Sequence, residues 1–70
     1  MLTAENEKTL VELGFTRKYF NKSLQKRYKG INGNLSIVIA PNGSWTISGY
    51  GPYPEDMRAD LAILREKGIV

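Results

Sequence analysis

Six cationic side chains, Arg17, Lys18, Lys22, Lys26, Arg27 and Lys29, fall within thirteen residues, and no acid interrupts them. Three aromatics, Tyr19, Phe20 and Tyr28, are interleaved with them. Guanidinium and ammonium groups at this density are the footprint of a polyanion partner. If all six met phosphates, affinity would fall with the logarithm of salt concentration at a slope of about −5. Two blander readings of the same charge stand beside this one. The cations could be a solvated face that keeps a small domain soluble, or they could meet an acidic protein surface.

Other chemistry is sparse. The chain has no histidine and no cysteine, which excludes disulfides, zinc-finger ligation, a thiolate nucleophile and a histidine base. Asp56 and Asp60 share a helix face at i,i+4, but Asp56 is explained by the helix dipole and Asp60 reads as solvated. The glycines spell neither a Walker loop nor a dinucleotide fingerprint. No residue is nominated as catalytic, cofactor-binding or metal-ligating, and the expectation is a protein that is not an enzyme.

Charge divides the seventy residues into three parts. Residues 1–13 sum to −2, residues 14–54 to +6 and residues 55–70 to −1, for a net +3. The length allows one domain, 1–70, which must gain stability from packing, self-association or a partner. The longest apolar run, Ile37-Val38-Ile39-Ala40, cannot span a bilayer. The start, Met1-Leu2-Thr3-Ala4-Glu5-Asn6-Glu7, does not resemble a signal peptide. Together these point to a cytoplasmic protein. The Asn-x-Ser triplets at Asn21, Asn34 and Asn42 then read as turn chemistry.

The elements that must position the cations are punctuated by glycine. Residues 4–13 predict a short helix capped by Thr3 and stopped by Gly14-Phe15. Residues 54–67 predict a second, with Pro54 at the first helical position, Met57, Leu61 and Leu64 inward, and Gly68-Ile69 as the stop. Residues 34–50 predict a hairpin about Pro41-Asn42-Gly43, pairing Ile39 with Trp45, Val38 with Thr46 and Ile37 with Ile47. Its Leu35, Ile37, Ile39, Trp45 and Ile47 face is expected to be core. Tyr50 and Tyr53 sit in the Gly49–Tyr53 corner, where they either pack on the last helix or anchor a partner.

Residues 16–31 support two readings, with the balance tilted slightly to the first. As a helix, Phe20, Leu24, Tyr28 and Ile31 make one stripe, the lysines make another, and Gly30-Ile31 is a third stop. With Gly14-Phe15-Thr16 as the turn, the arrangement is similar to a helix-turn-helix with residues 17–29 as the groove-reading helix. As a strand, residues 25–31 join 34–40 through Asn32-Gly33, with Tyr28 beside Ile37 and Arg27 beside Val38. The element order then resembles that of double-stranded-RNA-binding domains. Those carry a lysine run where this chain has Pro54-Glu55-Asp56, so the likeness stops at topology. Against the strand, residues 17–30 lack Val, Ile and Thr, and Lys26 would point at the core. Tyr19 lies on neither helical stripe and is expected in solvent.

The fold class expected is α+β: an antiparallel hairpin or three-stranded meander against two short helices, or three if residues 16–31 are helical. The function expected is a small basic nucleic-acid-binding accessory or regulatory protein, of the short kind that phages and mobile elements encode. The alternative is a protein-interaction module or inhibitor of a host complex, in which the hairpin edge, Tyr19, Tyr50 and Tyr53 meet a partner. Self-association is compatible with either.

Overall fold

Thr3 starts the first helix by accepting a hydrogen bond from the Asn6 backbone N–H at 3.0 Å. In the computed structural model, which describes residues 1–70, this helix, α1, runs Ala4–Glu12. Its end is a Schellman closure. Gly14 sits at φ +101°, its N–H reaches Val11 O at 3.0 Å, and Phe15 N–H reaches Leu10 O at 3.0 Å. The second helix, α2, runs Glu55–Glu66 and ends the same way, through Gly68 and Ile69. Phe15 and Ile69 are both buried, so each stop also delivers an apolar side chain to the core. Pro54 precedes α2 as its N-cap, one position earlier than the sequence pattern predicts.

Between the helices lie four strands: β1 (Thr16–Arg17), β2 (Leu24–Gly30), β3 (Gly33–Ile39) and β4 (Trp45–Ser48). They form one antiparallel sheet in chain order. The sheet therefore has four strands where three were expected, because Thr16–Arg17 adds a short one. There are two helices. The hairpin register about Pro41-Asn42-Gly43 is as predicted, with Ile39 opposite Trp45 and Ile37 opposite Ile47. Gly43 holds the positive φ, +92°, that the turn requires.

The helical reading of residues 16–31 is overturned, and with it the groove-reading helix. Leu24–Gly30 is strand. Its pairing is also two residues away from the predicted one: Tyr28 faces Leu35, Arg27 faces Ser36, and Gly30 closes on Gly33. The loop is thus Ile31-Asn32. The predicted register would have left Leu24 beside Pro41, past the end of β3. The observed one sets Leu24 against Ile39 and buries it. A shift of two preserves which face each residue occupies. Gly30-Ile31 is no helix stop, and Ile31 lies in solvent.

Cross-strand partners share a face. One face carries Leu24, Lys26, Tyr28, Leu35, Ile37, Ile39, Trp45 and Ile47. Both helices cover it, and Leu10, Met57, Leu61 and Leu64 join the strand residues and Phe15 in one core. Each fully buried Leu or Ile contributes roughly 1.5–3 kcal/mol. Trp45 departs from expectation: it lies on this face but on the terminal strand, beyond the helices' cover, and remains 44% exposed. The opposite face carries Gln25, Arg27, Lys29, Asn34, Val38, Thr46 and Ser48, with Ser36 buried between Arg27 and Ser48. No element lies over it. No helix is long and apolar enough to cross a membrane.

Candidate functional site

The strand alternation scatters the six cations. Arg17 and Lys26 turn toward the helices. Arg27 and Lys29 stand on the bare face. Lys18 and Lys22 lie in the loop that joins β1 to β2. Only the first two form ion pairs, and each pair ties the sheet to a helix. Arg17 Nη2 is 3.0 Å from Glu7 Oε1 of α1, and Lys26 Nζ is 2.6 Å from Asp60 Oδ2 of α2.

The second pair is part of a network on the core side. Lys26 Nζ also donates to Leu13 O at 2.6 Å and lies 5.2 Å from the Tyr28 ring centroid. Tyr28 donates its hydroxyl to the same Asp60 Oδ2 at 2.6 Å. Asp60 is 8% exposed, so the expectation that it is solvated is corrected: it is the shared acceptor for two donors from β2. Burial pushes the Tyr28 phenol far above its ordinary value, and the hydrogen bond to Asp60, then the charges of Asp60 and Asp56, push it the same way. The phenol therefore stays protonated and acts as a fixed donor. With two of its three donors engaged on the core side, the Lys26 ammonium is turned away from the set that could hold phosphates.

The β1–β2 loop has the opposite character. It is ordered by its own backbone: Lys18 N–H donates to Ser23 O at 2.6 Å and Lys22 N–H to Lys18 O at 3.1 Å. Asn21 Oδ1 accepts from Ser23 N–H at 3.0 Å, an Asx turn that matches the reading of Asn21-Lys22-Ser23 as turn chemistry. Asn42 makes the same contact with Ser44. Arg17 Nη1 donates to Lys22 O at 3.1 Å, so Arg17 positions the loop. Lys22 is held at φ +57°, which costs a non-glycine residue about 1–2 kcal/mol. On this frame Tyr19 is 93% and Phe20 97% exposed. Their rings meet edge to face at 5.8 Å. Lys18 and Lys22 flank them, and neither is paired with a carboxylate.

Comparison with known protein families, curated proteins and solved structures finds no match to this chain.

The structure therefore places Lys18, Tyr19 and Lys22 on one loop and Arg27 and Lys29 on the bare sheet face, and ties Arg17 and Lys26 to helix carboxylates. Phe20, assigned to a core stripe by the helical reading, joins the exposed set. Its signal in the sequence was the run Lys-Tyr-Phe-Asn-Lys-Ser, aromatics and cations closed by an Asx turn. Tyr50 is exposed beyond β4. Tyr53 is half exposed and walls a shallow hollow of about 400 Å³ with Lys29, Ile31, Arg58 and Glu55.

Proposed function

We propose that this protein is a small, non-catalytic nucleic-acid-binding domain that grips a single strand through its β1–β2 loop. The observation that carries the reading is the nearly full exposure of Tyr19 and Phe20 on an ordered loop between two unpaired lysines. An aromatic pair held in water gains nothing for the fold. Unstacked bases stack on such rings, and flanking cations take the neighbouring phosphates. Arg27 and Lys29 extend the positive surface onto the bare sheet face. The helices are unsuited to lie along a phosphate backbone, since each carries three or four carboxylates and a net charge of −2. The basic segment is strand and loop, so no exposed basic helix is present to enter a duplex groove, and the exposed ring pair suits unstacked bases better than paired ones.

Fluorescence anisotropy with labelled single-stranded and duplex oligonucleotides, at low and high salt, tests this. Single strands are expected to bind more tightly, with a salt slope of about −3 for four phosphate contacts. Phe20→Ala and Tyr19→Ala should each weaken binding about 5- to 150-fold, the loss of 1–3 kcal/mol of stacking. Lys22→Gly removes a charge while suiting the positive φ, so it should weaken binding and leave the fold intact. No binding to any oligonucleotide at low salt overturns the reading.

A further inference from the structure

The two edges of the sheet are finished differently. On one side β1 covers only Leu24 and Gln25 of β2, so the rest of β2 is open laterally. Lys26, Arg27 and Lys29 line that open segment, and charge of this kind discourages a further strand from adding. On the other side β4 is the terminal strand. No residue from 30 to 54 is charged, Trp45–Ser48 contains no proline, and its pairing with β3 has no bulge. Outside that ladder, no backbone hydrogen bond reaches residues 45–48.

The register says which groups are free. Ala40 N–H donates to Ser44 O at 2.8 Å, so Ala40 and Ser44 are a hydrogen-bonded pair. Alternation then makes Val38–Thr46 and Ser36–Ser48 hydrogen-bonded pairs, and Ile39–Trp45 and Ile37–Ile47 non-hydrogen-bonded ones. The N–H and C=O groups of Trp45 and Ile47 therefore point away from β3, into solvent.

We infer that β4 pairs antiparallel with β4 of a second copy of this chain, about a two-fold axis normal to the sheet at Thr46. Trp45 N–H then donates to Ile47 O of the second copy, Ile47 N–H donates to its Trp45 O, and symmetry doubles these to four bonds. The two outward-facing residues are spaced symmetrically about Thr46, as an isologous contact requires. The edge is also where two molecules of net charge +3 can meet without opposing charges. On the helix side the half-exposed Trp45 ring lands beside Ile47 of the second copy. Tyr50, 84% exposed just beyond the strand, runs toward the Pro41–Gly43 turn of the second copy. On the bare face Thr46 meets Thr46. The product is a continuous eight-stranded sheet in which both bare faces look the same way, and the two β2 strands lie five strand spacings, about 24 Å, apart. A four-residue edge buries less than a standard interface, so the association is concentration-dependent.

Sedimentation equilibrium over a concentration series tests this. The wild type is expected to rise from the mass of one 7.9 kDa chain to that of two. Thr46→Lys and Thr46→Glu each put like charges face to face across the axis. Both should remain single chains with an unchanged circular dichroism spectrum, because Thr46 is exposed on the bare face. Mixed in equal amounts, the two variants should recover the double mass. A wild type that stays a single chain at its highest concentration overturns the inference. So does Thr46→Lys dimerising as tightly as wild type, or a mixture that stays single.

Discussion

Lys26 and Arg27 are neighbours in the chain and meet opposite surroundings, and the two faces of the sheet differ in the same way. On the covered face a cation must leave most of its water, and it is tolerated only because Asp60 and Leu13 O replace that water at 2.6 Å each. On the bare face Arg27 and Lys29 stay hydrated and need no partner. The covered face uses its charge to lock β2 onto α2, and the bare face keeps its charge available. A residue type therefore does not say whether a cation is structural or available for binding. Its face in the register, and what stands opposite, decide it.

The sharpest way to break this contrast is Asp60→Ala. It leaves the Lys26 ammonium and the Tyr28 hydroxyl without their shared acceptor, and should cost about 3 kcal/mol. In a domain of this size that is a fall of at least about 10 °C in Tm, read by thermal circular dichroism. If Asp60→Ala melts with the wild type, the network holds nothing together.

Tyr28→Phe sharpens it through pH. The folded phenol titrates far above its ordinary value of 10.0, so above that pH the unfolded state loses this proton while the folded state keeps it. Stability from Tyr28 is fully present below pH 10 and should fall by about 1.4 kcal/mol per unit above it. Urea unfolding at pH 9 to 11 should show that loss in the wild type and a shallower one in Tyr28→Phe. Equal slopes would mean that burial and the Asp60 hydrogen bond together do not keep the phenol protonated.

The smallest expected effect on the fold is on the bare face. Arg27→Ala with Lys29→Ala should change stability by less than about 0.5 kcal/mol. The same pair should flatten the salt slope of single-strand binding by about 1.4. A stability loss as large as that of Asp60→Ala would erase the distinction between the faces.

Much of this was legible locally. Gly14-Phe15 and Gly68-Ile69 announce helix ends because a left-handed residue followed by an apolar one closes the last turn without help from elsewhere. Pro41-Asn42-Gly43 and the alternation on either side set one register between them. Gly30-Ile31 carries the same two-letter signal as the helix stops and means something else, because the chain before it is strand. Trp45 reads as core by alternation and lies half in solvent, because alternation names a face and not how far the helices cover it.

The sequence by itself determined the α+β class, both helices with their ends, the β3–β4 pairing and the absence of acid between residues 14 and 54. Only the tertiary structure decided the state of residues 16–31. One of the two objections to a strand there, beside the lack of Val, Ile and Thr, was that Lys26 would face the core. That objection is correct as local physics. It is answered by Asp60, thirty-four residues away, which no window around Lys26 contains. The same packing divided one run of six cations into two structural ties to the helices, two groups on an open face and two beside the exposed rings of Tyr19 and Phe20.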